Sequence, residues 1–257
     1  MSPSVPHVAE LAAVVLAAGA GTRLRPLTWL RPKALCPVGN VPLVDWSIGW
    51  ARSVTDAVAV NVHHGRAALE SHLAGRVHQS IEEPEALGTA GGVAKLKGWI
   101  NGRAVLTLNA DSWHDADLDG FVRGWDGERV RVLLASDEFG PRARVVASLL
   151  PWGEVDALEV RPTGLYEVVW RPADEQGRLD VAHHGGAFVD CGAPAGYLAA
   201  NLASSDGRSV VGPGARVDGT VEECVVWPGA VVGANEKLVR AIRADHRMTV
   251  LVRNGDG

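Results

Sequence analysis

The chain of 257 residues is poor in several features that would point to a specialised class of protein. Its three cysteines, Cys36, Cys191 and Cys224, are an odd number, and their spacing matches neither a disulfide framework nor a zinc site. The net charge is -5 and no polybasic run is present, which argues against nucleic acid or an anionic membrane as a partner. We therefore expect reduced thiols, a cytoplasmic location, and no nucleic-acid or membrane partner.

The N-terminal region lacks the positive charge of a secretory signal. Residues 1–10 contain no Lys or Arg, so the apolar stretch Leu11–Ala20 has no charged segment before it. The stretch is also too short to span a membrane, and a buried strand explains it better. Residues 1–10, with two prolines and two serines, predict a flexible tail.

Short apolar runs alternate with helical patterns over residues 11–135. The predicted strands are Ala12–Ala18, Ala57–Val62, Val77–Ile81, Ala104–Asn109 and Val130–Ala135, and the predicted helices are Pro42–Arg52, Gly65–Leu73 and Gly91–Trp99. This alternation predicts a Rossmann-like α/β fold, with a mixed, mostly parallel sheet and helices on both faces. Ligands of such sheets bind beyond the carboxyl ends of the strands, where Gly19–Lys33 and Asp111 are expected.

The sequence changes character from Ser209 onwards. Val211 and Val217 are six residues apart, as are Val226 and Val232, and Gly-Pro-Gly and Pro-Gly mark corners between them. This spacing is typical of the hexapeptide repeats of a parallel β-helix. Because about 30 residues are too few to bury a core alone, we expect a stub of fewer than two coils. It would pack on the rest of the chain or on another subunit of a homo-oligomer, and a loose β-hairpin is the alternative.

The segment from Leu16 to Lys33 carries the strongest chemical signal. Glycines directly after a strand let backbone N–H groups approach phosphate oxygens. The dinucleotide-binding fingerprint needs a third glycine where Leu24 stands, and the Gly-Lys-Ser/Thr of a Walker A loop is absent. Here Gly19-Ala20-Gly21 is followed instead by Thr22, Arg23, Pro26 and Lys33.

This segment resembles the signature of sugar-1-phosphate nucleotidylyltransferases, in which Gly-x-Gly-Thr-Arg, a proline-containing loop and Pro-Lys follow one another. Three further segments resemble that family in the expected order: its second glycine loop at Glu85–Gly92, and the segments of its two metal aspartates at Leu108–Asp111 and Phe188–Pro194. The resemblance implies a nucleotidyltransferase catalytic domain at 11–205, followed by the hexapeptide-repeat-like segment at 206–257. It implies an enzyme that transfers a nucleotidyl group from a nucleoside triphosphate to a sugar 1-phosphate with Mg²⁺, releasing pyrophosphate.

The resemblance also implies roles for individual residues. Arg23 would clamp the leaving phosphates and Lys33 would place positive charge near the α-phosphate, so both are expected to be catalytic. Asp111 and Asp190 offer hard oxygen ligands for Mg²⁺. The sugar phosphate is expected to contact Asn109 and Trp113, and the nucleotide is expected to contact Leu16, Ala17, Ala18, Gly19, Ala20, Gly21, Thr22, Glu83, Gly88 and Thr89.

Glu83 bears on the choice of base. Relatives that use UTP or dTTP often carry Gln at this place, whereas a carboxylate only accepts hydrogen bonds and suits the two adjacent donors of guanine. This favours GTP with mannose 1-phosphate, giving GDP-mannose. The stretch Asn109–Asp115 also resembles the compact uridylyltransferases acting on N-acetylmuramic acid 1-phosphate, so UTP with an amino-sugar or hexose 1-phosphate is the alternative.

Two departures from the family pattern affect the sugar site. No lysine lies between Lys97 and Lys237, so the family's lysine for the sugar phosphate is missing, and Arg142 and Arg144 are the candidates to replace it. Ala193 stands where the family carries Thr, which we expect to be tolerated.

Three other classes of function stay open at this point. They are a catalytically silent regulator that binds a nucleotide sugar, an acyltransferase built on the β-helix, and a cytidylyltransferase for an alcohol phosphate. Retention of both aspartates and both cations argues against the regulator.

Overall fold

The computed structural model describes residues 11–246 and 248–253, so the tail predicted at 1–10 lies outside the described residues. The described residues form two compact units. The first unit contains residues 11–19, Ser47–Ala110 and Asp115–Gly186, and the second contains Ala20–Trp46, Asp111–His114 and the residues from Ala187 onwards. The boundary predicted between residues 205 and 206 stays a prediction.

The first unit is built on a seven-stranded sheet in the order β10-β8-β9-β6-β1-β4-β5. These strands are β1 (Leu11–Leu16), β4 (Val58–Val62), β5 (His78–Ile81), β6 (Ala104–Asn109), β8 (Val130–Leu134), β9 (Val145–Leu150) and β10 (Leu179–His183). The helices in this part of the chain are α1 (Leu43–Arg52), α2 (Arg66–Leu73), α3 (Gly88–Lys95), α4 (Lys97–Ile100), α5 (Leu118–Arg123), α6 (Trp152–Ala157) and α7 (Arg171–Glu175).

The sheet is mostly parallel and confirms the predicted fold class. Strand β1 pairs in parallel with β4 and β6, and only β9 runs antiparallel, between β6 and β8. Successive side chains of a strand point to opposite faces, yet every residue of β4 and the first five of β1 are buried. Both faces of the sheet are therefore covered, as the continuous apolar runs of these strands predicted.

Two helices differ from their predicted bounds for local reasons. Helix α1 begins at Leu43 because Pro42 pairs with Pro37 in the short hairpin of β2 (Pro37–Val38) and β3 (Val41–Pro42). The helix predicted at Gly91–Trp99 is two helices, because Leu96 leaves helical geometry at φ -87° and ψ 0°.

The second unit contains the remaining strands and helix α8 (Pro194–Ala203). These strands are β7 (Ser112–His114), β11 (Phe188–Asp190), β12 (Val210–Val211), β13 (Arg216–Val217), β14 (Thr220–Glu222), β15 (Val225–Val226), β16 (Val231–Val232), β17 (Lys237–Val239), β18 (Ala241–Arg243) and β19 (Thr249–Leu251).

Strands β12 to β18 form the predicted β-helix stub. Parallel ladders join β12 to β15 and β18, β13 to β16, and β14 to β17, and β19 closes the stack by pairing antiparallel with β18. The stub therefore has two complete coils and the first strand of a third, so the expectation of fewer than two coils was wrong. Its own core is small, and its Val225 and Trp227 share a larger core with Tyr197 of α8.

None of the helices in residues 11–246 and 248–253 combines the length and apolar character needed to cross a membrane.

A helical glycine with no free space tests the packing of the first unit. A Cβ at Gly91 would lie 2.2 Å from the carbonyl oxygen of Arg161, whereas a Cβ at Gly98 would meet no atom within 4 Å. We expect Gly91→Ala to lower the free energy of unfolding by about 1–3 kcal/mol through overpacking. Gly98→Ala is the matched control and should raise it by up to about 1 kcal/mol, because Ala favours the helix. Urea denaturation of both variants checks this, and equal effects would contradict it.

Candidate active site

Four charged side chains meet in the second unit. Lys33 Nζ donates a hydrogen bond of 2.9 Å to Asp111 Oδ2 and lies 4.0 Å from Asp190 Oδ1. Arg23 Nη2 lies 3.6 Å from Asp190 Oδ2. The side chain of Lys33 is only 9% exposed, whereas that of Arg23 is 71% exposed. A buried ammonium thus holds two carboxylates together, and a mobile guanidinium faces solvent beside them.

A short antiparallel ladder brings the two aspartates together although they lie far apart in sequence. Strands β7 and β11 pair with Ser112 opposite Asp190, and Cys191 N donates to the carbonyl oxygen of Asp111 at 2.9 Å. Asp190 Oδ1 accepts a further hydrogen bond of 2.7 Å from Gly192 N. The backbone therefore fixes both the neighbourhood of the carboxylates and the orientation of one of them.

Glycines permit this close approach. A Cβ at Gly192 would lie 2.6 Å from Arg23 Nη2, and one at Gly196 would lie 2.0 Å from the carbonyl oxygen of Asp190. Gly21 has a positive φ of 61°, and a Cβ there would lie 2.8 Å from Lys33 Cβ. Side chains at these positions would push Arg23, Lys33 or Asp190 away from the cluster.

The residues present fit a magnesium ion. Mg²⁺ is usually held by one or two carboxylates and keeps several waters or substrate phosphates as its other ligands. Asp111 and Asp190 supply two carboxylates within 4.0 Å of one ammonium, and their side chains are 48% and 52% exposed. Among residues 11–246 and 248–253, no three His, Cys, Asp or Glu side chains group as a fuller metal site.

The two thiols nearest this cluster are poor nucleophiles. Burial raises the pKa of Cys36 to about 12, although the charges of Arg31 and Lys33 oppose the shift. Burial also raises the pKa of Cys191, with the carboxylates of Asp111 and Asp190 adding to the effect. Both are neutral thiols at pH 7, so covalent catalysis by cysteine is disfavoured.

The first unit contains a buried polar network that sequence reasoning missed. Asn61 Oδ1 accepts from Ala17 N, Asn61 Nδ2 donates to Glu82 Oε1, and Leu87 N donates to Glu82 Oε2, each at 2.7 Å. Glu82 is fully buried and Asn61 is 2% exposed. The network connects the start of the first glycine loop with the residue before the second. A polar residue at the end of each buried strand, β4 and β5, was the available signal.

The second glycine loop is occupied by protein backbone in this structure. Gly88 has a positive φ of 69°, and a Cβ there would lie 2.6 Å from the carbonyl oxygen of Thr163. Thr89 Oγ1 accepts a hydrogen bond of 2.7 Å from Leu165 N. Residues 163–165 thus occupy the space that the sequence assigned to nucleoside and sugar. The nucleotide contacts of Gly88 and Thr89 stay predictions.

Glu83 is accessible but not unpaired. Its side chain is 62% exposed, and its Oε1 forms an ion pair with Arg66 Nη1. His63, Arg66, Glu82 and Pro84 line an open cavity of about 630 Å³ together with Glu83. This places Glu83 beside a space large enough for a base, and its role there stays a prediction.

The other predicted contact residues divide between the units. In the first unit, Leu16 accepts from Ala110 N at 3.0 Å, Ala18 accepts from His64 Nδ1 at 2.9 Å, and Asn109 accepts from Ser47 Oγ at 3.1 Å, each through its carbonyl oxygen, while Gly19 is exposed. In the second unit, Ala20 and Thr22 are exposed, and Trp113 packs edge-on against Trp46 at 6.3 Å. The structure brings together Arg23, Lys33, Asp111 and Asp190, and it describes the remaining residues within their own units.

Comparisons with known proteins agree with these motifs. Residues 12–135 match the family model described as nucleotidyl transferase, which confirms the resemblance for that part of the chain. The chain is 40% identical over 136 residues to an N-acetylmuramate alpha-1-phosphate uridylyltransferase of Caulobacter vibrioides, covering 48% of this chain and 56% of that protein. It is 30% identical over 141 residues to a mannose-1-phosphate guanylyltransferase of Mycobacterium tuberculosis, covering 52% and 39%. The chain thus spans about half the length, or less, of these curated relatives.

Solved structures support the fold. A protein from Bacillus anthracis assigned as a glucose-1-phosphate thymidylyltransferase superposes with a TM-score of 0.66 at 17% identity, covering 76% of this chain and 96% of that one. HddC from Yersinia pseudotuberculosis, complexed with GMP-PN, gives a TM-score of 0.59 at 16% identity, covering 75% and 98%. At such low identity the likeness concerns the fold alone.

Adjacent glutamates with opposite environments test the buried network. Glu82→Gln replaces an acceptor by an amide donor that faces Asn61 Nδ2 or Leu87 N, so it should lower the free energy of unfolding by about 1–3 kcal/mol. Glu83→Gln, at an exposed surface ion pair, should change it by less than about 1 kcal/mol. Chemical denaturation followed by circular dichroism checks both. A Glu82→Gln protein as stable as the Glu83→Gln protein would contradict the role assigned to the network.

Proposed function

We propose that this chain transfers a nucleotidyl group from a nucleoside triphosphate to a sugar 1-phosphate, yielding a nucleotide sugar and pyrophosphate. The observation that carries this proposal is the position of Lys33, whose Nζ lies 2.9 Å from Asp111 and 4.0 Å from Asp190. The match of residues 12–135 to the nucleotidyl transferase model and the names of both relatives support it.

The proposed reaction needs no protein nucleophile. A phosphate oxygen of the sugar phosphate attacks the α-phosphorus of the triphosphate, and a new phosphorus–oxygen bond forms. The bond from the α-phosphorus to the bridging oxygen breaks in line, and pyrophosphate leaves with that electron pair. Positioning and neutralisation of charge supply most of the catalysis in such a step.

The charged cluster is suited to that task. Asp111 and Asp190 would hold Mg²⁺, which neutralises phosphate charge when it is bound. Lys33 would place its ammonium near the α-phosphate, where negative charge increases in the transition state. Arg23, with its exposed planar fork, would bind two oxygens of the leaving pyrophosphate. The residues of the glycine loop, Leu16 to Thr22, would direct backbone N–H groups to the phosphates.

The donor and acceptor are proposed in two pairs. Glu83 was the argument for GTP with mannose 1-phosphate, but its carboxylate is already paired with Arg66. That pairing weakens the argument, because the carboxylate no longer presents two unused acceptors. The 40% identity to the uridylyltransferase favours UTP with N-acetylmuramate 1-phosphate. We therefore propose the uridylyl reaction first and the guanylyl reaction second.

A substrate matrix tests the proposal. The protein is incubated with Mg²⁺, each of five nucleoside triphosphates and a set of sugar 1-phosphates, and pyrophosphate release is measured. One pair with clear turnover would support the proposal and identify both substrates. Binding of a nucleotide sugar without turnover of any pair would support the silent regulator instead.

Substitution of the aspartates tests their role in metal binding. Removal of one carboxylate ligand should cost several kcal/mol of transition-state stabilisation, so Asp111→Asn and Asp190→Asn should each lower kcat at least about 100-fold. The matched control is Asp206→Asn, because the side chain of Asp206 is 94% exposed and makes only a distant ion pair. The three variants should keep the circular dichroism spectrum of the wild-type protein. Near-normal turnover by Asp111→Asn would rule out its assignment as a metal ligand.

A further inference from the structure

The segment that carries Lys33 is held by buried groups of helix α8. The carbonyl oxygen of Pro37 accepts a hydrogen bond from the hydroxyl of Tyr197 and another of 3.3 Å from Asn201 Nδ2. Asn201 Oδ1 in turn accepts from Gly39 N at 3.1 Å. Tyr197 and Asn201 are both fully buried. Two polar side chains from one helix thus fix the backbone just beyond the lysine.

The β-helix stub reaches the same segment through one residue. Trp227, which is 1% exposed, donates a hydrogen bond of 2.8 Å from Nε1 to the hydroxyl oxygen of Tyr197. The guanidinium of Arg31 lies over the Trp227 ring, with Cζ 4.4 Å from the ring centroid. Arg31 precedes Lys33 by two residues and Pro37 follows it by four. Trp227 therefore acts on the lysine segment from both sides.

The hydrogen bonds from Trp227 to Tyr197 and from Tyr197 to Pro37 form a directed chain. Burial raises the pKa of Tyr197 well above its ordinary value, so the hydroxyl keeps its proton and donates it to the carbonyl. Accepting from Trp227 orients that proton, because a hydroxyl has one donor and its lone pairs take the remaining directions. Loss of the indole N–H would leave the buried hydroxyl free to rotate away from Pro37. Buried chains of this kind are strongly coupled.

We propose that Trp227 is a positioning residue that acts through Tyr197 and Pro37 to hold the Lys33 ammonium between Asp111 and Asp190. This gives the β-helix stub a role in the reaction itself. The inference rests on the proposed function, since the lysine matters for catalysis only if that function is correct. Its structural part, the placement of Lys33, is measurable without turnover.

The kinetic test uses conservative aromatic replacements. Trp227→Phe keeps a ring for packing against Arg31 but removes the donor to Tyr197, and Tyr197→Phe removes the hydroxyl. Each should lower kcat about 10-fold while leaving KM within about 2-fold, because a displaced lysine weakens transition-state contacts more than substrate binding. The double variant should be no slower than the slower single variant, because both act through one chain. Independent, multiplicative losses would overturn the proposal.

The control is another buried tryptophan with the same kind of bond. Trp125 is 5% exposed and its Nε1 donates to the carbonyl oxygen of Arg129 at 2.6 Å, within the first unit. Trp125→Phe should cause a similar change in Tm without the loss of kcat. Equal kinetic losses in the two tryptophan variants would show a general loss of stability and overturn the proposal.

Chemical labelling of lysine gives a readout that needs no activity. Reductive methylation followed by peptide mass spectrometry compares Lys33, which is buried in an ion pair, with Lys95, Lys97 and Lys237 in the same molecule. We expect Trp227→Phe and Tyr197→Phe to raise the relative labelling rate of Lys33 at least 3-fold, and Trp125→Phe to leave it unchanged. If Trp227→Phe folds poorly, Tyr197→Phe alone decides, because it removes a single oxygen atom.

The two proposals can fail separately. If the wild-type protein turns over no substrate pair but Lys33 labelling rises as expected, the proposed function is wrong and the structural coupling stands. If turnover is found and neither kcat nor the labelling of Lys33 responds to the Trp227 and Tyr197 variants, the function stands and the positioning role is wrong.

Discussion

The candidate site depends on one electrostatic arrangement, a buried ammonium between two half-exposed carboxylates. Two carboxylates close together repel each other, and either would have a reason to turn into solvent. Lys33 removes that repulsion, and its own burial is tolerable because Asp111 accepts its hydrogen bond at 2.9 Å. The cluster is therefore organised before any ligand arrives. Preorganised charge of this kind costs no rearrangement during the reaction.

Close backbone packing makes that arrangement possible. At Gly21, Gly192 and Gly196 a side chain would overlap Lys33, Arg23 or the backbone of Asp190. The same constraint acts in the first unit at Gly88 and Gly91, where the segment around Thr163 and Arg161 fills the available space. Glycines that the motif analysis assigned to ligand contacts thus also serve the packing of the protein against itself. The two roles are compatible at Gly21, which adjoins exposed residues.

Buried polar networks link elements that are distant in sequence. In the first unit, Asn61 and Glu82 tie Ala17 to Leu87, and in the second, Tyr197 and Asn201 tie helix α8 to the lysine segment. Every such bond is expensive to leave unmade in a dry interior, so these networks define single positions for the loops they hold. The proposed role of Trp227 extends the second network into the β-helix stub. A stub too small for the active site of a stacked acyltransferase would in this way contribute rigidity to another site.

The sequence by itself determined the class of fold, the β-helix stub and the four charged residues of the site. Period and spacing are local properties, and the ordered motifs carried Arg23, Lys33, Asp111 and Asp190 without reference to structure. It did not reveal Asn61, Glu82 or Trp227, nor that Glu83 pairs with Arg66 and that Thr163 covers Gly88. Those facts depend on which distant segments meet, and a polar residue in isolation has the same pattern whether it is solvated or buried with a partner. Only the tertiary structure decided them, because burial and hydrogen-bond partners are set by contacts across the fold.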